Sequence, residues 1–547
     1  MNPLSSLKCA SRVLTALAAI SGIFLTAGCG SSSSTPPNQN GFSNSSLSGT
    51  YVFSSSGVDE ANTLALALAG AFKANGDGTI ASGGTIDVVD QALIYTPPST
   101  PAQAITAGSY SIGSDGRGQI KLNTAVGNFV LAVVLTSSSH GLVSEFDGLG
   151  TGSGTIDLQT ATITSLSQIS GPYAFILGGA DINNNPMAST GAFVNTSANG
   201  VVTGIQDFND NTSTFLGENM FASASLGAGG TAPLSITFGT SIFGSLVFDF
   251  YPISATQWKL IETDYSQFLS GDAFTQTGAS IPNSPMVFTM AGGSVIGAPV
   301  AIGGLMISNG SGGFSSGLAD INNVGTPSTV QIPFTGTPAG PAGFGGRVQV
   351  NLDTNFLTGA NTVWVIYPSA AGLLMMEGDG DAVTAGVGYA QTATTFTSGT
   401  SVGYGMNLTG ANVQSVVDNI AQFNAAAAGT TPNVTGKLDE NDQGFVIGGL
   451  TLTGTYTPDA GSTGRGSLMV PAIGTANGSL ALEYYVINSG SALVIEFPDN
   501  LQVTSGTFQL QATPGADAAN AATPVRPLFA KVHVKTSAKA GSKKSQP

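Results

Sequence analysis

Cysteine, histidine and tryptophan are almost missing from this chain, with two of each in 547 residues. Two cysteines cannot build a disulfide framework, and two histidines with so few thiols exclude a zinc site of ordinary type. Charge is scarce as well, at 8% of residues, which argues against helices carried by charged faces. Only the N-terminus holds a long apolar run. What is abundant is glycine, 75 residues, against a background of Ser, Thr and Asn and 41% hydrophobic residues. That mixture suits short β-strands joined by tight turns.

The apolar run Val13–Ala27 follows Lys8 and Arg12 and ends in Leu25-Thr26-Ala27-Gly28-Cys29. It is too short to span a bilayer and has the length of the apolar region of a secretory signal. Small residues at Ala27 and Gly28, then a thiol, then a Ser-rich stretch resemble the lipobox of bacterial lipoproteins, with Thr26 where Leu is usual. The resemblance implies cleavage after residue 28, a lipid on Cys29 as the membrane contact, and a cell-envelope address. Gly30 after the Cys resembles the pattern that allows transfer to an outer membrane. Cleavage also removes Cys9 and leaves Cys29 as the sole cysteine, so burial alone must hold the fold.

The 31 acids outnumber the 15 bases, giving a net charge of -16. Between Cys29 and Thr513 the bases are Lys73, Arg117, Lys121, Lys259, Arg347, Lys437 and Arg465. So acidic a body repels phosphate backbones, and no nucleic-acid partner is expected. The sign reverses at the end, where Arg526, Lys531, Lys535, Lys539, Lys543 and Lys544 lie in a stretch without acids. Residues 514–547 read as a basic disordered tail, with contact to an anionic envelope polymer as the sharper alternative.

Four blocks of about 115 residues recur between Leu47 and Thr513. Their marker is a Glu after apolar residues and before an acid: Glu145 with Asp147, Glu262 with Asp264, Glu377 with Asp379, Glu496 with Asp499. The Glu spacings are 117, 115 and 119. Gly154, Gly271, Gly386 and Gly506 follow nine or ten residues later. Each block opens on an aromatic or Met strand, Tyr51-Val52-Phe53, Tyr173-Ala174-Phe175, Met286-Val287-Phe288 or Tyr404-Gly405-Met406. Gly70-Ala71-Phe72 and Gly191-Ala192-Phe193 mark a second strand that runs into a Gly/Asn turn. The apolar runs before each late Glu, Phe129–Leu135, Leu246–Tyr251, Val363–Tyr367 and Leu480–Ile487, read as the most buried strands.

About eight short strands per block fit a closed barrel or a sandwich, with four tandem all-β units as the fold class. The Gly-x-Tyr openings, Gly49-Thr50-Tyr51 and Gly171-Pro172-Tyr173, are similar to the Gly-x-Trp first strand of lipocalin-like barrels, which implies up-and-down barrels. The expected divisions are 1–28 signal, 29–46 Ser-rich linker, units at 47–160, 161–279, 280–395 and 396–513, and the tail. In the fourth unit Val413, Val416, Val417, Ile420 and Phe423 stand at helical spacing, so residues 411–433 are expected to form an inserted amphipathic helix.

All three arginines of the body share one repeat slot, in Gly116-Arg117-Gly118, Gly346-Arg347 and Gly464-Arg465-Gly466, 28 to 31 residues before the late Glu. A carboxylate on a doubly buried strand requires a partner, and a forked guanidinium supplies one. The structural ion pairs expected are Arg117 with Glu145, Arg347 with Glu377 and Arg465 with Glu496, each within its own unit. The second unit has Thr231 to Pro233 in the slot, with Lys259 as the substitute.

Catalytic patterns are weak. Gly399-Thr400-Ser401-Val402-Gly403 has the spacing of a nucleophile elbow, but no strand–helix alternation surrounds it, and the histidines are His140 in a Ser loop and His533 in the tail. Four copies of Glu/Asp, as in Glu145 and Asp147, argue for structure over glycoside hydrolysis. The oxygen-rich stretches Asp181–Asn185, Asp207–Asp210, Asp320–Asn323 and Asp439–Asp442 lack a closing Glu and read as Asx turns, not calcium loops. No catalytic residue, metal or cofactor is expected. The chain reads as an envelope lipoprotein whose units are spacers or binding modules for glycan or protein. A carrier with apolar ligands in the barrel lumens is the alternative, and a glycoside hydrolase the next. Filled lumens, through Phe72, Phe193, Phe248 and Phe250, favour the scaffold.

Overall fold

The computed structural model describes residues 41–512 except 62, 94–101, 196–200, 212, 227–233, 277–279, 295–297, 324–325, 341, 358–360, 401, 413–414, 472–478 and 498–501. Cys29 and its lipobox, Ser401, Asp499, His533 and the basic tail lie outside the described residues.

Four eight-stranded antiparallel barrels follow one another along the chain. They run over Ser48–Leu158, Gly171–Thr275, Pro285–Ala390 and Gly403–Leu510. Each closes by pairing its first strand with its last, for example Phe175 with Ala273. In the first barrel two of the eight strands are broken, Thr79–Ile80 with Gly84–Asp90 and Ala102–Ile105 with Ala107–Ile112. Of the two architectures the sequence allowed, the barrel is the one formed.

Alternation sets the lumens. In Gly171–Ala180, Tyr173, Phe175 and Leu177 point inward, while Ala174 and Ile176 pack outward against the third barrel. The second lumen is an aromatic stack in which Tyr173 and Trp258 lie 4.1 Å apart, with Phe193, Phe238, Phe248 and Phe250 around them. Trp364 and Phe334 fill the third, Phe396 and Phe508 the fourth, and Tyr51, Phe53 and Phe72 the first. Each buried aromatic stabilises by roughly 1.5–3 kcal/mol. Ile169, Ile281 and Phe396, from the segments between barrels, lie among the lumen residues of the barrel that follows.

The recurring glycine after the late Glu has a steric cause. A Cβ at Gly154, Gly271, Gly386 or Gly506 would stand 1.7, 2.0, 1.9 or 1.9 Å from a carbonyl oxygen of the first strand. Only a residue without a side chain lets the closing strands approach so far.

The helix expected over 411–433 is absent. Val416–Ala425 is the second strand of the fourth barrel, pairing Phe423 with Tyr404 as Phe193 pairs with Tyr173. Helical spacing arose because the strand is buried on both faces: Ala421 and Phe423 fill the lumen, while Ile420 packs outward on Ala132, Val134 and Leu142 of the first barrel. Merging the two alternating sets mimics a 3–4 period.

Candidate functional site: the seams of a closed ring

The barrels form a ring, because the fourth touches the first. The third strand of each barrel carries an aspartate at one register position: Asp87 opposite Ala69, Asp207 opposite Thr190, Asp320 opposite Gly303 and Asp439 opposite Ile420. Each faces the next barrel round. Arg347 donates to Asp207 from Nε at 2.8 and 3.1 Å and from Nη2 at 2.6 Å, and Tyr367 adds its hydroxyl. Arg465 donates to Asp320 from Nε at 2.7 Å and Nη2 at 3.1 Å, joined by Tyr485 at 2.6 Å. Arg117 of the first barrel bonds Asp439 of the fourth and completes the circle. A bulge N–H completes each receiver, from Gly217, Gln331 and Gly449.

An asparagine two residues beyond the aspartate makes a second clasp. Asn209 Nδ2 donates to the carbonyls of Glu377 and Ala382, Asn322 to those of Glu496 and Gln502, and Asn441 to those of Glu145 and Gly150. The oxygen-rich stretches that resembled calcium loops are thus inter-barrel clasps, apart from Asp181, whose carboxylate accepts from the backbone of Asn183 and Asn185 in a turn. The described residues hold no cluster of three or more metal-ligating side chains.

The arginines therefore sit on carboxylates different from those expected. Arg117, Arg347 and Arg465 pair across seams, whereas Glu145, Glu377 and Glu496 lie inside the lumens, 2, 1 and 1% exposed. Lys259 likewise bonds Asp272 at 2.7 Å, with Asp157 at 3.9 Å, and does not substitute for an arginine at Glu262. Hydroxyls and backbone serve the glutamates: Thr384 donates to Glu377 at 2.7 Å, Thr504 to Glu496 at 2.9 Å, and the Gln267 N–H to Glu262 at 2.6 Å. Burial, reinforced by Asp147, Asp264 and Asp379, pushes Glu145, Glu262 and Glu377 well above the carboxylate range. A buried acid escapes the cost of an unpaired charge by keeping its proton, which is the physical reason no arginine is required there.

The acid two residues on has a different task. Asp147, Asp264 and Asp379 each accept from a backbone N–H of the preceding strand, that of Val130, Val247 or Val363, and from the N–H two residues ahead. Glu and Asp of one pair thus serve a lumen and a turn. His140 Nδ1 lies 2.7 Å from Asp157. Burial alone would raise Asp157, but His140 and Lys259 hold it below the usual carboxylate range.

Burial opposes the charges of Arg347 and Arg465, yet the aspartates outweigh it and raise both. Glu483, 3.4 Å from Arg465, is lifted to about 7 by burial despite that neighbour.

No protein family and no curated protein matches the chain. Among solved structures it is similar to transferrin binding protein B. The form from Haemophilus parasuis Hp5 shows 11% identity over 70% of this chain and 82% of that one, with a TM-score of 0.20. The isotype 1 form from serogroup B Neisseria meningitidis shows 10% identity over 65% and 78%, with a TM-score of 0.20. The intact Ap form, with N and C lobes, shows 8% over 85% and 95%, with a TM-score of 0.18.

Proposed function

We propose that this chain is a non-enzymatic lipoprotein of the bacterial envelope, held to the membrane by a lipid on Cys29, whose four barrels form a compact binding module for protein or glycan. The observation that carries the reading is the filling of the lumens. Tyr51, Phe193, Trp258, Trp364 and Phe508 are each 0 or 1% exposed within them, which leaves the barrel interiors to packing and moves any partner contact to the exterior. Ring closure supports a platform over an extended spacer, since the first and last barrels meet.

The exterior offers suitable surface. A groove of about 780 Å3 beside the third barrel is lined by its outward-facing Leu305, Leu318 and Pro333, with Thr335, Asp353 and, from beyond that barrel, Thr463. An exposed apolar patch rimmed by polar groups is the kind of surface a protein partner covers.

Native mass spectrometry of the delipidated chain from its source tests the proposal. The expected mass is the bare polypeptide, alone or with a protein or glycan. A small apolar molecule retained in stoichiometric amount, up to one per barrel, would overturn it in favour of a carrier.

A further inference from the structure

Three seams place a guanidinium on the receiving aspartate; the seam between the first and second barrels does not. Arg465 stands opposite Tyr485 in the fourth barrel, whereas the sequence of the second barrel, 171–275, holds no arginine. The receiver, Asp87, is 0% exposed and takes the Tyr251 hydroxyl on Oδ2 at 2.5 Å. On the strand of Tyr251 the second barrel brings another acid, Asp249, two residues earlier and in side-chain hydrogen-bond contact with Asp87, where the fourth barrel has Glu483 beside its arginine. Oδ1 of Asp87 finds no hydrogen-bond donor among the described residues. Two carboxylates cannot bond each other unless one carries a hydrogen.

We propose that a single proton shared between Asp87 and Asp249 does in this seam what a guanidinium does in the other three, making it a pH-sensitive joint that loosens as the proton leaves.

The surroundings leave the acids to each other. Lys259, on the strand beside Tyr251, is committed to Asp272 at 2.7 Å with Asp157 at 3.9 Å, and Asp157 in turn to His140. Lys73 is exposed at the rim above Tyr251. Asp90 and Tyr265, at the lower edge, add no positive charge. Tyr251 itself is driven well above its ordinary value by burial and stays a neutral donor. Burial, then the charge of Asp249, lifts Asp87 to about 8, and burial lifts Asp249 to about 6. A carboxyl raised in the folded state stabilises fully below its unfolded value, and that contribution is lost as pH rises through about 8. Arginine seams keep their charge throughout this window.

Hydrogen exchange of the full chain between pH 5 and 9 tests the joint. Protection factors in Gly84–Asp90 and Gly244–Ser254 should fall with rising pH, by up to about tenfold per unit where one proton is lost, and more steeply than those of Val201–Asp210 and Val363–Ser369 at the arginine seam, where only the lumen glutamate Glu377 titrates nearby. Asp87→Asn, whose amide carries the hydrogen permanently, should flatten the profile. If that variant does not fold, Asp249→Asn reads the same property, because its amide donates to Asp87 without a proton. Equal pH dependence at the two seams, or a wild-type profile in the folded variant, would overturn the proposal.

Discussion

Arg347 of the third barrel holds Asp207 of the second through three N–H···O contacts of 2.6 to 3.1 Å, although 140 residues separate them. The aspartate is 0% exposed, so its charge is stable only while the guanidinium is present. Removing the arginine should strand it. We expect Arg347→Ala to cost about 3–5 kcal/mol, as for one partner of a buried pair. Denaturant unfolding measures this, and adding Asp207→Asn should recover part of the loss. A cost under about 1 kcal/mol, the level of a surface pair, would contradict the assignment.

Asn441 spans the seam that closes the ring, donating at 2.8 Å to the carbonyls of both Glu145 and Gly150. Asn441→Ala leaves two buried carbonyls short of a donor, with a predicted loss of about 2 kcal/mol. Because no covalent link joins the fourth barrel directly to the first, the loss should appear as separation of those two. Small-angle scattering of the variant should show a larger radius of gyration; an unchanged radius together with unchanged stability would refute the clasp.

Glu377 is held inside its lumen well above the carboxylate range by burial and then by Asp379. An acid raised by folding stabilises at low pH and loses that contribution as pH rises from the unfolded value near 4.3. Glu377→Gln keeps a hydrogen for the lumen at every pH. Its melting temperature should exceed wild type at pH 8 and approach it at pH 4. A variant less stable than wild type at pH 8 would show that the charged form is the one the lumen binds.

Gly271 packs against the first strand so closely that a Cβ would lie 2.0 Å from the Ile176 oxygen. Gly271→Ala should cost about 3 kcal/mol through forced separation of the closing strands. Calorimetry of the variant reads this directly, and a shift in melting temperature within error of zero would mean the closure can yield.

Cys29→Ser should release the chain from the washed membrane fraction, since no other thiol follows the apolar segment. Wild-type retention at an unchanged mass would dispose of the lipid anchor.

The four-unit β architecture was legible because lumen-facing aromatics and strand-closing glycines are local necessities that each unit must meet again. The seams were half legible. Arg347 in a shared slot and Asp207 in an Asp-x-Asn stretch were both conspicuous, yet nothing in a linear spacing says that the slot of one unit faces the third strand of the preceding one. Burial misleads in the same direction: a buried carboxylate such as Glu377 calls for a counter-charge, whereas Thr384 and a retained proton suffice. The strand Val416–Ala425 reads as a helix because a segment buried on both faces loses the period of two that identifies a strand.

Phe42 and Gln511 meet at one place. The Phe42 N–H bonds the Ser114 carbonyl, Gln511 Nε2 bonds the carbonyls of Asp115 and Leu135, and both side chains crowd Gly116. Which barrel comes first along the chain is thus nearly free, while their order around the circle is fixed. A short peptide joining 511 to 42, with the backbone cut instead between the second and third barrels near Gln276, should yield a circular permutant with every seam intact. In such a protein the stretch after Cys29 could be moved to any of the linkers, and with it the barrel that stands nearest the membrane.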